Sequence, residues 1–327
     1  MSRIKFFIGY GVITILLFGA FFQYLKSIES KKTPPVINDR LQFDSVFTTA
    51  MYASLEKIAD TMPEPKPGEW LYEMEEKGQT FEEFVKGLWP RPDSTNQTIY
   101  LQPLGTFSGG TTPDLKLLQK FTEIYFMMPV IILPSIDSDT MQITSRTNPH
   151  THHKQLLTTD ILDYLELRFP DDAFCLTALT VQDLYPEPSW NFVFGQASLI
   201  RRVGVFSFAR YNPTCNGQQN SLSSSETDKL ILRRSCKVLA HEIGHIFGFY
   251  HCIYYRCGMN GSNNLRESDA KPIHLCPVCL RKLYYSIGFD IKERYELLRS
   301  FYNSIGFEDY AGDIDRSLEV IQDSTFH

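Results

Sequence analysis

The chain has 327 residues, 43% hydrophobic and 21% charged, enough apolar content for a substantial core and too much for a disordered chain. A formal net charge of -6 and a pI near 5.8 leave no global basic footprint, so nucleic acid is not expected as a partner. Length alone allows one large domain or two small ones.

Residues 6–25, FFIGYGVITILLFGAFFQYL, carry no charge, follow Arg3 and Lys5 and precede Lys26, Lys31 and Lys32. About 20 apolar residues suffice for a helix to cross a bilayer, so residues 1–30 are expected to hold an N-terminal transmembrane helix and its flanks. A cleaved signal peptide is the rival reading, but its apolar region is usually about 7–15 residues and ends at a small-x-small site. This run instead ends Phe-Phe-Gln-Tyr-Leu-Lys. A buried core helix, the third reading, would carry a polar face that this run lacks. Basic residues flank both sides, with a small excess after the run (Lys26, Lys31, Lys32 and Arg40 against Arg3 and Lys5). That bias points to a single-pass membrane protein with a cytosolic globular part, a lumenal or secreted one being the alternative.

Residues 31–120 read as a linker, KKTPPVIN at 31–38, followed by a helical extension with helix-like stretches at 51–62 and 80–88 around the break PEPKPG at 63–68. From residue 121 to 327 strands and helices alternate. Strand-like runs lie at 130–133, 174–181, 192–195 and 203–208, and a helical spacing covers 156–169. The order β-α-β-β-β predicts an α/β (α+β) layer fold, a sheet covered by helices. A long helix follows from near Ser225, with Glu226 and Asp228 in its first turn. Leu232, Cys236, Leu239, Ile243 and Phe247 form one apolar stripe along it, and Gly248 stops it. Apolar residues at 291, 295, 298, 302 and 305 predict a C-terminal helix.

The long helix carries His241-Glu242-Ile243-Gly244-His245. Imidazoles at i and i+4 share one helix face, so both can converge on one tetrahedral cation. Gly248 lets the chain turn back and bring His251 as a third nitrogen ligand, which leaves the fourth position to water. Glu242 is beside a ligand without being one, placed to take a proton from that water as it attacks a carbonyl. Such a motif alone also arises by chance on ordinary helices; Gly248 and His251 at the required spacing argue against chance.

Seven cysteines are an odd count, and four of them, Cys252, Cys257, Cys276 and Cys279, fall within 28 consecutive positions. Two close pairs of thiolates are the usual composition of a closed structural zinc site, which suits a reducing compartment. A redox pair at Cys276 and Cys279, or two disulfides, are the competing readings. With the three histidines this makes two Zn2+ per chain.

At HEIGHIFGFYHC (241–252), CGM (257–259) and CPVC (276–279) the sequence resembles the archaemetzincin family of zinc metallopeptidases. The likeness extends to 259–265, to 280–283 and upstream to 189–196 and 203–210, covering about 121–301. It implies a metzincin-like mixed twisted sheet with a covering helix and an active-site helix. It also implies His241, His245 and His251 as ligands of a catalytic zinc, Glu242 as general base and Met259 as the Met-turn residue beneath the metal. Read by itself, Met259 is an ordinary core methionine. Gly261 stands where some metzincins carry a tyrosine, so no tyrosine ligand is assigned. The expected substrate is a peptide or protein and the expected state a monomer; the alternative function is a catalytically silent, zinc-stabilised peptide-binding scaffold.

His150, His152 and His153 lie in a polar stretch and read as a solvated loop. His274, Glu267 and Asp269 receive no assigned role. Asn96 and Asn260 match the glycosylation pattern, which matters only for a lumenal domain.

Overall fold

The computed structural model describes residues 49–107, 112–213 and 222–324, so the apolar run at 6–25 lies outside the described residues. Among the described residues no helix is long and apolar enough to cross a membrane. The strands in chain order are β1 (Thr98–Leu104), β2 (Val130–Ile132), β3 (Ser145–Thr147), β4 (Lys154–Leu157), β5 (Ala173–Thr180), β6 (Asp183–Tyr185), β7 (Gly195–Ser198) and β8 (Val203–Ser207). The main sheet runs β2-β1-β5-β8-β7, parallel throughout except for β7, which pairs antiparallel with β8 at the edge. A small sheet, β3-β4-β6, lies apart from it in hydrogen bonding.

Every residue of β1, β5 and β8 is buried, as a parallel sheet covered on both faces requires. One face presents Tyr100, Leu176, Ala178, Val203 and Val205 to Ile161, Leu162 and Leu165 of helix Thr158–Glu166. The other presents Ile99, Leu101, Leu179 and Phe206 to the two helices that matter for the site, Leu115–Phe126 and Ser224–Ile246. The mixed α/β architecture follows from this layering.

Helices are numbered in chain order: α1 (Thr49–Ile58), α2 (Trp70–Glu73), α3 (Phe81–Lys86), α4 (Leu115–Phe126), α5 (Thr158–Glu166), α6 (Ser224–Ile246), α7 (Leu265–Ala270), α8 (Pro277–Ile287), α9 (Ile291–Ser304) and α10 (Glu308–Ser324). Ser223 and Glu226 form a reciprocal capping box that starts α6 one residue before the predicted point. Its stripe, Leu232 to Phe247, is buried throughout. At its end Phe247 stacks between Phe174 of β5 (4.3 Å) and Phe126 of α4 (5.5 Å). Burial of one such ring stabilises by about 1.5–3 kcal/mol, so this aromatic stack fixes the C-terminal end of the helix against the sheet.

Several elements depart from the periodicity reading: the small-sheet strands β3, β4 and β6 have no predicted counterpart, and Leu156 and Leu157, read as helical, close β4. The run 192–195 is not a strand: Phe192 and Phe194 pack in a buried connection with Tyr211, and the ladder to β8 begins only at Gly195. Helix α10 is an addition beyond the predicted α9. The expected boundary at residue 121 falls inside α4, and β1, which precedes it, pairs with both β2 and β5 in the middle of the sheet. A strand of seven residues containing Gln and Pro is a weak sequence signal; its place is decided by its two neighbours.

The segment between α1 and β1 wraps the molecule on the α6 side. Thr61 bridges Tyr255, Met62 N–H donates to the Tyr254 carbonyl (3.0 Å), and Arg256 N–H donates to the Asp60 carbonyl (2.8 Å). Helix α3, opened by a capping box at Thr80 and Glu83, buries Phe84 against Trp89, Phe249 and Tyr285.

Candidate metal centre

Helical periodicity puts His241 and His245 on one face of α6, and Gly248, at φ +88°, reverses the chain so that His251 faces them. The three ring centroids lie 4.6–5.3 Å apart, and the candidate ligand atoms all fall within 4.8 Å of one another. All three imidazoles are buried, at 1%, 7% and 6% exposure, so the ligand-bearing face of α6 is covered.

The tautomers follow from the partners. His241 Nδ1 is 2.9 Å from the Gly258 carbonyl and His245 Nδ1 is 2.6 Å from the Phe249 carbonyl. A carbonyl only accepts, so both Nδ1 atoms carry the proton and both Nε2 atoms present lone pairs. Burial, reinforced by the nearby Lys271 charge, holds His241 well below the usual imidazole pKa; burial also holds His245 down to about 3. The two Nε2 atoms face each other at 3.1 Å. Neutral lone pairs at that distance repel, and a cation about 2.0–2.1 Å from each relieves the repulsion, since tetrahedral ligand atoms then lie about 3.3 Å apart. His251 Nε2 is buried without a hydrogen-bond partner. The donor set therefore fits a zinc ion.

Glu242 is 2% exposed and its Oε1 is buried without a partner. Burial pushes the carboxyl up to about 7, against the opposing pull of Lys271. Lys271 itself is buried and pushed down to about 8; its ammonium donates to the Asn260 carbonyl at 2.9 Å and sits 3.4 Å from His241 Nδ1. A carboxyl poised near neutrality can accept a proton and release it again at physiological pH.

Met259 lies under α6 and is 1% exposed. Its sulfur occupies the space above Gly244: a Cβ there would lie 2.6 Å from Met259 Sδ, so the glycine between the two histidines is what lets the thioether approach. Gly261 is explained in the same way. A Cβ at that position would lie 2.3 Å from Trp70 Cδ1, so an indole from the N-terminal segment fills the place of any side chain.

Cys252, Cys257, Cys276 and Cys279 are buried, free of disulfides, and have their sulfurs within 4.8 Å of one another. Cys252 Sγ lies 3.6 Å from Cys276 Sγ, and Cys257 Sγ accepts backbone N–H bonds from Met259 (3.4 Å) and Cys276 (3.2 Å). Zinc–sulfur bonds of about 2.3 Å in a tetrahedron put sulfurs about 3.8 Å apart, so these four also fit zinc. Hydrogen bonds from the other thiols pull the Cys252 pKa down, while burial pushes that of Cys276 up. Cys252 N–H donates to the Met259 carbonyl (2.9 Å), which joins the cysteine cluster to the Met259 loop.

Asn260 holds that loop together. Its side chain accepts from Cys257 N–H (2.7 Å) and donates to the carbonyls of Cys252 (2.7 Å) and Tyr255 (2.9 Å). At 4% exposure, with its amide nitrogen engaged, it is no glycan acceptor in this fold. The 150–153 stretch is a tight turn in which Asn148 Oδ1 accepts from His150 N–H and Thr151 N–H; its three histidines are exposed and none belongs to either cluster. His274 pairs with Asp313 at 3.4 Å. Asp269 pairs with Arg234 (2.6 Å), whereas Glu267 takes the backbone N–H of Asn263 (2.7 Å) and of Trp70 (2.8 Å).

Sequence reasoning missed Glu76, Trp70, Gln79 and Lys271. Glu76 Oε1 is 2.8 Å from His251 Nδ1, Trp70 packs edge-on against the His251 ring, and Gln79 Nε2 donates to the Gly248 carbonyl (3.1 Å). None carries a spacing signal, because Trp70, Glu76 and Gln79 reach the site from one segment far ahead of it in the chain and Lys271 from the end of α7.

The description of peptidase family M54 matches residues 140–285. Archaemetzincin-2 of Homo sapiens is 36% identical over 303 aligned residues, covering 84% of this chain and 84% of that protein. Archaemetzincin-2 of Macaca fascicularis is 35% identical with the same coverage. An archaemetzincin of Archaeoglobus fulgidus, solved as a crystal structure, is 29% identical with a TM-score of 0.42, covering 57% of this chain and 99% of that one. With 35–36% identity across 84% of both sequences, this chain belongs to the archaemetzincin family of zinc metallopeptidases, peptidase family M54.

Proposed function

We propose that the chain hydrolyses peptide bonds at the three-histidine site, with Glu242 as general base, and that the four cysteines hold a second, structural zinc. The observation that carries this reading is the unpartnered, buried Glu242 carboxylate oxygen beside convergent Nε2 lone pairs. His241, His245 and His251 would hold the catalytic ion and Cys252, Cys257, Cys276 and Cys279 the structural one. Bound zinc supplies Lewis-acid polarisation of the scissile carbonyl and a lowered water pKa. Glu242 takes the proton lost by the attacking water and returns it to the departing amine nitrogen, so the residue ends as it began. Lys271 holds the Asn260 carbonyl and, through it, the turn that presents Met259. In this reading the fold is a metzincin-like mixed sheet with α6 as the active-site helix, and the protein acts as a monomer on peptides or proteins.

The test is Glu242→Ala in a protein whose zinc content is measured alongside hydrolysis of a peptide library. Loss of turnover with two zinc ions retained supports catalysis. A wild-type protein that binds two zinc ions and cleaves nothing supports the scaffold reading instead. We also propose that residues 6–25 anchor the chain in a membrane with the peptidase part on the cytosolic side, on the strength of the uncharged run and its flanking lysines. Protease protection of the globular part in sealed vesicles oriented cytosol-out would refute that orientation.

A further inference from the structure

We propose that Glu76, from the segment N-terminal to the sheet, is a positioning residue for the catalytic metal, its carboxylate orienting His251 and balancing the charge that a metal-bound imidazole acquires. The proposal rests on reading His251 as a zinc ligand. His241 and His245 are oriented by neutral carbonyls of the nearby chain, Gly258 and Phe249. His251, which has left the helix, lacks such support and instead pairs its Nδ1 with Glu76 Oε1 at 2.8 Å. The carboxylate accepts, so Nδ1 carries the proton and Nε2, buried and unpartnered, points into the cluster. This is the carboxylate–histidine–metal arrangement, in which an anion stabilises the positive charge that a bound imidazole acquires.

Glu76 is itself held from several sides. Trp70 Nε1–H donates to the same Oε1 at 2.8 Å, and the indole packs edge-on to His251 with ring centroids 5.2 Å apart. Trp70 N–H donates to Glu267 Oε1, whose other oxygen accepts from Asn263 N–H in the turn that follows Met259. A few residues further on, Gln79 donates to the Gly248 carbonyl, and the 1%-exposed Lys282 donates to the Gln79 carbonyl and side-chain oxygen. The strap is thus clamped on both sides of Glu76, to the Met259 turn before it and to the end of α6 after it. A loose surface carboxylate would lose its geometry to side-chain entropy; this one is fixed by its neighbours.

A carboxylate that only latched the strap down would act through its hydrogen bonds alone. Glu76→Gln separates the two roles, since an amide oxygen still accepts from Trp70 and from His251 but brings no charge. The experiment is zinc binding to the full chain under chelator competition. Cobalt(II) substitution distinguishes the sites, because thiolate ligands give the cysteine site a charge-transfer band that imidazoles lack. Removing such a partner typically weakens metal binding by about 10–100-fold. Glu76→Ala is expected to weaken zinc at the histidine site by that factor and Glu76→Gln by an intermediate one, with the cysteine site unchanged. Wild-type affinity in Glu76→Gln overturns the electrostatic role, and equal loss at both sites in Glu76→Ala shows a general loss of structure and overturns the proposal too. A wild-type protein that loads only its cysteine site would instead overturn the three-histidine reading on which the proposal stands.

Discussion

Glu242 links the chemistry of this site to the stability of the fold, and the variant Glu242→Gln tests both. In the folded chain burial pushes its carboxyl up to about 7, from an ordinary value of 4.5. Between those pH values the unfolded chain has released the proton and the folded chain still binds it, so stability falls as pH rises through this window. At about 1.4 kcal/mol per pH unit, a rise from 4.5 to about 7 costs roughly 3 kcal/mol at pH 7 and above, and nothing below 4.5. Glutamine has the same shape and no ionisation. With the histidine site stripped by a chelator and the cysteine site loaded, Glu242→Gln should match the wild type at pH 4.5 and be more stable by up to roughly 3 kcal/mol at pH 8. For a domain of this size that is on the order of 6 °C in Tm. The assay is thermal or urea unfolding of both proteins across that range, paired with peptide hydrolysis on the zinc-loaded forms. Hydrolysis should be lost while the zinc stays bound. A stability difference that is absent, or is the same at pH 4.5 and pH 8, would refute the assignment of a desolvated carboxyl.

Other substitutions probe the scaffold around it. Gly244→Ala places a methyl 2.6 Å from Met259 Sδ and should cost about 1–3 kcal/mol by overpacking; adding Met259→Ala should return most of the stability, measured by urea unfolding. Asn260→Ala removes an acceptor and two donated bonds inside the buried loop, so a loss of about 2–4 kcal/mol is expected, with faster zinc release from both sites under chelator. On the proposed two-zinc reading, Cys276→Ser should lower the zinc content from two ions per chain to one or fewer. It should also slow hydrolysis, because Cys252 adjoins His251 and its N–H bonds Met259; unchanged hydrolysis at full histidine-site loading would separate the two centres. Changing His150 and His153 together to Ala should leave zinc content and Tm unaltered, since both are exposed and neither belongs to a ligand cluster.

Much of the site was legible in the chain because it is local. His241, Glu242 and His245 are placed by one helical period, Gly248 by the need for a positive φ after α6, and His251 and Cys252 by adjacency. The buried stripe of α6 and the cysteine spacing follow the same short-range rules. Met259 was singled out only by the family resemblance, since spacing does not distinguish it from any other core methionine; in the fold its sulfur packs on Gly244, between the two histidines of α6. Asn260 shows the limit of a motif. Its sequence matches a glycosylation site, but three buried hydrogen bonds give the side chain another use.

What only the tertiary structure decided is what touches the site from afar. Strand β1 joins the centre of the sheet because β2 and β5 supply its partners, whatever its own modest propensity. Glu76 meets His251 across 175 positions, Gln79 meets Gly248 across 169, and Trp70 fills the space over Gly261. Periodicity and spacing describe groups close together in the chain, and so they picked out the two histidines and the glutamate of α6 and the third histidine just beyond it. The carboxylate behind His251 and the strap that covers the histidines depend on how distant segments pack, which is a property of the whole fold.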